Sequence, residues 1–441
     1  MKRILRTAFF IGLLACAPQL QAQRLYTLGY CLREGLKNNF ALRMAHNDEQ
    51  ISKENATAAN AGLLPTLDLS AGYTGSTDNT RQTRSDGSTT RTNSGYEQSA
   101  NVGVNLNWTI FDGLNMTTTY KELQLMKKQG ETNTRLAIED MVANLTAEYY
   151  NYVQQKIRLK NFLYAVSLSK ERVRIVALRH NVGNSSGLDY QQAKVDFNAD
   201  TAQYIKQQEA LHTSRIKLNE MMAVDDVDEL FFIEDSMIVV NGSLKLEDLW
   251  QSTLAANASL LKADQNITLA QMDYKKVRSR DYPYLKLNSG YGYTFNKYDS
   301  SSPTRKSGNL GFNAGLTLGF NLFDGNRRRE RRVARIGIEN SQLQRQELEL
   351  NLRADLTNLW QAYQNNLKLL ELERQNLITA RDNHSIANER YIQGELSGIE
   401  MREAQQSLLD AEERILTAQY NIKLCEISLL QLSGRVMEYV K

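Results

Sequence analysis

Residues 101–111 read Asn-Val-Gly-Val-Asn-Leu-Asn-Trp-Thr-Ile-Phe. Val102, Val104, Leu106, Trp108 and Ile110 fall on one side of an extended chain, with Asn101, Gly103, Asn105, Asn107 and Thr109 on the other. Alternation sustained over about ten residues has the length and period of a β-strand that crosses a membrane in a barrel. The same pattern fits a soluble sandwich with one wet face. Residues 65–75 repeat it, with Leu67, Leu69, Ala71 and Tyr73 against Thr66, Asp68, Ser70 and Gly72. Two later segments carry Leu285, Leu287, Tyr291, Tyr293 and Phe295, then Leu310, Phe312, Ala314, Leu316, Leu318 and Phe320. The loops joining each pair, Gly75–Gly95 and Tyr298–Gly308, are rich in Ser, Thr, Asn and Arg, as suits an outward-facing connection. Four strands cannot close a barrel, and an open edge is not tolerated in lipid. Three chains supply twelve strands and leave no edge.

Outward from these strands the chain is written twice. Leu28, Leu36, Asn39, Leu42 and Pro65 match Leu246, Leu254, Asn257, Leu260 and Pro283. Phe111-Asp112-Gly113 matches Phe323-Asp324-Gly325, and Leu145, Tyr152, Gly183, Gly187, Ala193 and Leu218 match Leu356, Tyr363, Gly394, Gly398, Ala404 and Leu429. The expected organisation is a first repeat over 23–221 and a second over 246–441, joined by a connector at 222–245. Each repeat runs helix, β-hairpin (about 65–111 and 283–323), long helix, turn (183–189 and 394–400), helix. The Asp-Gly pairs read as strand-to-helix junctions, with each Asp an N-cap.

The helical signal is equally long. Leu356, Trp360, Tyr363, Leu367, Leu370 and Leu377 mark one helix from Asn326 to about Gln393. From Ala404 the spacing is strictly four-three through Leu408, Ala411, Ile415, Ala418, Ile422, Cys425, Leu429 and Leu432. A seven-residue repeat implies supercoiling against a partner helix. In the first half Phe197, Tyr204, Leu211 and Leu218 keep the period, interrupted by Asp200, Gln207 and Ser214. A helix from Gly113 to Val182 would be roughly 100 Å long. The expected fold class is therefore a mixed α and β membrane protein: a trimeric 12-stranded β-barrel, four strands per chain, continued by a long antiparallel coiled coil.

Bulk composition agrees. The 441 residues hold 53 basic and 50 acidic side chains, a net charge of +3, which gives no surplus for nucleic acid. Four prolines favour uninterrupted helices. Lys2, Arg3 and Arg6 followed by the apolar run Thr7–Ala17 read as a signal peptide over 1–22, cut between Ala22 and Gln23. Cys16 opens a second reading, lipid attachment. Cys31 and Cys425 are too few for a disulfide framework. His46, His180, His212 and His384 have no paired metal spacing, and no phosphate loop or nucleophile elbow is present, so neither an enzyme nor a cofactor or metal site is expected. Arg327–Arg332 reads as a solvated basic face. Asp225, Asp226, Asp228, Glu229, Glu234 and Asp235 read as an acidic linker.

Two turns carry a family resemblance. Arg390-Tyr391-Ile392-Gln393-Gly394-Glu395-Leu396-Ser397-Gly398-Ile399-Glu400 closely resembles the R-Y-x-x-G-x-x-S-x-x-D/E turn of the TolC-type outer-membrane efflux proteins. Arg179-His180-Asn181-Val182-Gly183-Asn184-Ser185-Ser186-Gly187-Leu188-Asp189 is its first-half counterpart, with His180 in place of the tyrosine. The resemblance implies a homotrimer whose barrel sits in outer-membrane lipid and whose twelve-helix extension crosses the periplasm. It implies helical tips that meet a periplasmic adaptor (membrane-fusion) protein of an inner-membrane transporter, for efflux or type I secretion. Gly183, Gly187, Asp189, Arg390, Tyr391, Gly394, Ser397 and Gly398 would form the docking tips. Glu400 and Glu403, six and nine residues after Gly394, would ring the periplasmic aperture, with Glu where the family commonly has Asp. A stand-alone outer-membrane porin would need more strands and no helices; an envelope-spanning coiled-coil scaffold would need neither lipid-facing strands nor an export signal.

Overall fold

The computed structural model describes residues 24–233, 235–299 and 304–440. The expected signal peptide with Cys16, the acidic Glu234 and residues 300–303 of the second hairpin loop lie outside them. In chain order the elements are β1 (Arg24–Tyr26), α1 (Leu28–Asn38), α2 (Phe40–Asn55), β2 (Thr66–Thr83), β3 (Thr89–Asp112), α3 (Asn115–Asn181) and α4 (Gly187–Met222). There follow β4 (Phe231–Ile233), α5 (Leu246–Ala256), α6 (Ala258–Ser279), β5 (Tyr284–Tyr298), β6 (Lys306–Gly319), α7 (Arg327–Gln393), α8 (Gly398–Leu432) and a 3-10 turn at Val436–Val440. No described helix is long and apolar enough to cross a membrane. Two compact units form, each drawing on both halves of the sequence.

The first unit, Met44–Leu136 with Ala258–Asn351, holds one antiparallel sheet in the order β2-β3-β5-β6. Its register puts Leu69, Val104, Tyr291 and Phe312 in one row and Ala71, Val102, Tyr293 and Leu310 in the next, so the apolar positions of all four strands share a face. That face is bare: Leu69, Phe312 and Leu318 are 76%, 71% and 73% exposed. β2 and β6 are edge strands in this chain.

The first hairpin differs from its expected form. Pairing continues past Gly75, with one irregularity between Asp78 and Thr80, to Thr83 opposite Thr89. Only Arg84–Ser88 turn, where Gly87 takes φ +83° and the Ser88 N–H donates to Asp86 at 2.8 Å. Thr77, Thr80, Thr83, Thr89 and Thr90 supply β-branched residues without an apolar face, so a strand forms that hydrophobic period cannot reveal.

β3 runs into the first Asp-Gly pair, whereas β6 ends at Gly319, five residues before the second. Asp112 accepts the Met116 N–H at 3.0 Å, a free donor in the first turn of α3, and Asp324 accepts the Asn326 N–H at 2.9 Å just ahead of α7; each Asp stands three residues before its helix, so neither is the N-cap expected. Gly113 is required there: φ is +72°, and a Cβ would come within 2.1 Å of the Ser279 carbonyl. Beside it the basic run is divided: Arg331 reaches Asp281 at 3.2 Å and Glu330 takes Arg280 at 2.7 Å, while Arg328, Arg329 and Arg332 are exposed as expected.

The second unit is built from the segment through Arg43, Ala137–Asn257 and the chain from Leu352 onward. Each half contributes equivalent core residues: Cys31, Leu145 and Leu218 are fully buried in one cluster, Leu249, Leu356 and Leu429 in another. Asn39 and Asn257, matched between the halves, donate to the Met221 and Leu432 carbonyls, each at 2.9 Å, pinning the end of a long helix. The heptad of α8 is buried at Leu408, Ala411, Ala418, Ile422, Cys425 and Leu429. On α4 the outcome is reversed. The interrupting residues Asp200, Gln207 and Ser214 are the buried ones, while Phe197, Tyr204 and Leu211 are only half-buried. Each has a partner on α3: Asp200 accepts from Ser169, Gln207 donates to the Gln155 side chain at 2.8 Å, and Ser214 donates to Glu148 at 2.5 Å. The seven-residue period is present, but it is a polar seam. In the connector, Asp228 takes Arg215 and His212, and Asp235 accepts the Tyr149 hydroxyl at 2.7 Å.

Candidate functional site: the two helical turns

Both turns stop one helix and start the next with the same parts. After α3 the Gly183 N–H donates to the His180 carbonyl at 3.0 Å and Asn184 to Arg179 at 2.8 Å. After α7 Gly394 donates to Tyr391 at 3.1 Å and Glu395 to Arg390 at 3.0 Å. This pair of hydrogen bonds closes a helix through a left-handed residue. Gly183 and Gly394 supply it at φ +79° and +86°, and nothing lies within 4 Å of where a Cβ would stand. Ser186 and Ser397 then cap α4 and α8. Their hydroxyls accept the N–H of Asp189 (3.1 Å) and Glu400 (3.2 Å), whose carboxylates accept the serine N–H in return (3.1 and 3.0 Å). The G-x-x-S-x-x-D/E spacing is therefore a C-cap followed by a capping box. Gly187 and Gly398 are the first residues of their helices. Glu400, expected at the aperture, is committed to its cap; Glu403 lies exposed one turn further on.

The serine hydroxyl and N–H hold the carboxyls of Asp189 and Glu400 below the ordinary carboxylate range. A depressed folded value means the caps contribute fully above the ordinary value and are lost as pH falls through the folded one. Acid-protease cleavage at residues 182–189 and 393–400 should therefore rise steeply as pH drops below about 4. The rise should disappear with Asp189→Asn and Glu400→Gln, which remove the titrating groups.

The turns meet through their side chains. Arg179 donates to the Tyr391 carbonyl and to the Ile392 carbonyl (3.2 Å), with its guanidinium 4.8 Å over the Tyr391 ring. Tyr391 is buried among Val176, Ala193, Ala387, Met401 and Ala404. Burial pushes its phenol up against the opposing pull of Arg179 and Arg172. Its first-half counterpart, His180, stands exposed and stacks on Tyr190 instead. Arg390 is also exposed, whereas its counterpart Arg179 makes the cross-contact. Further in, buried Arg172 pairs with Asp196 at 2.6 Å, and Arg402 grips both oxygens of Asp200 at 2.6 and 2.7 Å. A cavity of about 250 Å³ between the turns is lined by Arg172, Arg179, Asp189, Asp196, Tyr391 and Ser397 among others.

Sequence reasoning found the glycines, Ser397 and Tyr391 but missed Ser186, Arg172, Arg179, Asp196, Asp200 and Arg402 as working residues. Ser186 was detectable, because Ser-x-x-Asp before a helix is a capping signature. The ion pairs were not, since Asp200 and Arg402 are 202 residues apart.

An exposed apolar sheet face, long paired helices and capped turns define an outer-membrane channel protein. The sequence profile of the outer membrane efflux protein family matches residues 31–224 and 249–435, and the chain belongs to that family. It is an exit duct of the outer membrane, and its family is one of transport channels. The chain is 21% identical over 394 residues to outer membrane protein TolC of Vibrio cholerae, covering 87% of this chain and 85% of that protein. A membrane protein from Pseudomonas aeruginosa has the same fold, with TM-score 0.76, 15% identity and coverage of 94% and 92% of the two chains. So does the Campylobacter jejuni CmeC outer membrane channel, with TM-score 0.75, 17% identity and coverage of 92% and 85%.

Proposed function

We propose that three copies of this chain close a 12-stranded barrel, and that the two helical turns of each dock a periplasmic adaptor protein bound to an inner-membrane transporter. The observation that carries this reading is the four-stranded sheet with a bare apolar face and two edge strands, β2 and β6. Such edges expose unpaired backbone groups, which lipid cannot satisfy and a neighbouring copy can. The repeat domains at 23–221 and 246–441 each give the duct one hairpin and one helix pair. Glu403, with Glu400 behind its cap, faces the aperture in this reading, and cargo is handed on by the transporter rather than chosen by catalysis.

Docking at the turns is tested with Gly183 and Gly394. Alanine at either carries a left-handed cost of about 1–2 kcal/mol; asparagine carries much less. The double Gly183→Asn, Gly394→Asn variant should therefore assemble normally. It should lose most export of cargo in cells, at least about tenfold, because a side chain now fills space the partner needs. Normal export by that variant would leave both glycines as helix caps alone.

A further inference from the structure

The sheet's second face has a composition of its own. Five consecutive rows across the four strands read Thr66-Asn107-Asn288-Gly315, Asp68-Asn105-Gly290-Asn313, Ser70-Gly103-Gly292-Gly311, Gly72-Asn101-Thr294-Asn309 and Thr74-Ser99-Asn296-Ser307. Asp68 is the one ionisable side chain in those rows; Lys286 stands in the row before them, opposite Thr109 and Thr317, and Glu97 in the row after, opposite Ser76 and Tyr298.

Packing shows why glycine and asparagine alternate. A Cβ on Gly72 would stand 2.6 Å from the Asn101 side-chain oxygen. One on Gly290 would stand 2.7 Å from that of Asn313 and 3.0 Å from that of Asn105. The carboxamides thus lie across the glycines of the neighbouring strands, and Asn105 also donates to the Ser70 hydroxyl at 2.9 Å. In the central row, where Gly103, Gly292 and Gly311 follow Ser70, the backbones themselves approach: a Cβ on Gly292 would be 2.9 Å from the Val102 carbonyl and 3.0 Å from the Gly103 Cα. Glycine in a strand interior marks such close approach, as on the inner side of a curled sheet. This is therefore the face opposite to lipid.

We propose that this amide and glycine face makes the barrel section of the duct a charge-blind lining, crossed equally by cationic, anionic and uncharged polar cargo. The proposal rests on the closed-barrel reading above. Fixed charges on a pore wall focus potential and select by sign. Carboxamides present a donor and an acceptor side by side. They replace part of a solute's hydration without favouring either charge. Asp68 and Lys286 stand two rows apart at one end of this surface and oppose each other, and Glu97 marks its other end. Selection by charge then falls to the helical section or to the transporter.

Substituted cysteines read the local field directly, because Cys31 and Cys425 are buried and stay silent. Burial pushes the Cys31 thiol up to about 12. Asn101→Cys, Asn313→Cys and Leu316→Cys would each be reacted, in liposomes, with a cationic and an anionic methanethiosulfonate. Both asparagine-face thiols should react with both reagents, in a rate ratio within about threefold of a free thiol's, and Leu316→Cys with neither. Adding Asn105→Asp to Asn313→Cys should shift that ratio several-fold toward the cationic reagent. A ratio skewed about tenfold or more without that carboxylate would overturn the charge-blind lining while leaving the barrel intact. Reaction at Leu316→Cys with none at Asn101→Cys or Asn313→Cys would overturn the barrel reading itself.

Discussion

Lys423→Met is expected to lower the stability of the helical unit by about 3–5 kcal/mol, a large effect for one side chain. Lys423 and Glu426 are each 5% exposed and bond through both carboxylate oxygens at 2.9 Å. The same carboxylate accepts the Tyr439 hydroxyl at 2.7 Å and the Asn241 N–H at 3.1 Å. The ammonium also lies 5.1 and 5.8 Å from the ring centres of Tyr150 and Tyr439. One ion pair thus fastens the C-terminal turn and the connector to α8. Removing the lysine leaves a carboxylate buried without its counter-charge, and that desolvation cost is not recovered by two remaining neutral donors. The double replacement Lys423→Met, Glu426→Met should regain part of the loss but not all, since Asn241 and Tyr439 then lack an acceptor. Denaturant unfolding of the four members of this cycle measures the coupling. A loss below about 1 kcal/mol for Lys423→Met would mean that water reaches the pair.

Asp200→Ala should cost about 2–3 kcal/mol, at the lower end for a buried pair, because Arg402 is 23% exposed and can turn partly to water. Arg402 loses its acceptor, Ser169 is left with the Ala165 carbonyl alone, and the contact joining α4 to α8 is cut. Arg402→Ala should be milder, since Asp200 keeps the Ser169 hydroxyl. Gln207→Leu, at the next buried position of the same seam, should change stability by less than about 1 kcal/mol, with apolar packing replacing two hydrogen bonds donated by the carboxamide. If Asp200→Ala and Gln207→Leu proved equal, the Arg402 contact would contribute nothing beyond the seam.

These two sites also mark the limits of reading the sequence. Repetition exposed the architecture: Leu145 with Leu356, Leu218 with Leu429 and Gly183 with Gly394 fill equivalent places. Period-2 alternation located the four-stranded part of the sheet, because one face must meet an apolar phase. It was blind to residues 76–83 and 89–95, where both faces are polar and strand formation rests on threonine and pairing. The period in α4 was visible, yet Asp200, Gln207 and Ser214 looked like gaps in it. Hydrophobicity alone places a carboxylate at the surface, and only three-dimensional pairing with Ser169 and Arg402 makes its burial tolerable. The turns were legible as a motif, but the physical task of Glu400 needed the serine hydroxyl at 3.2 Å to be seen.

On the reading proposed here, this outer-membrane duct closes only as three chains. Light scattering on the detergent-solubilised protein, with the detergent contribution subtracted, tests it most directly. Three chains per particle at every concentration are expected, because β2 and β6 each need a partner strand in lipid. A monodisperse, folded single chain would contradict the closed barrel, and with it the charge-blind lining and the docking tips.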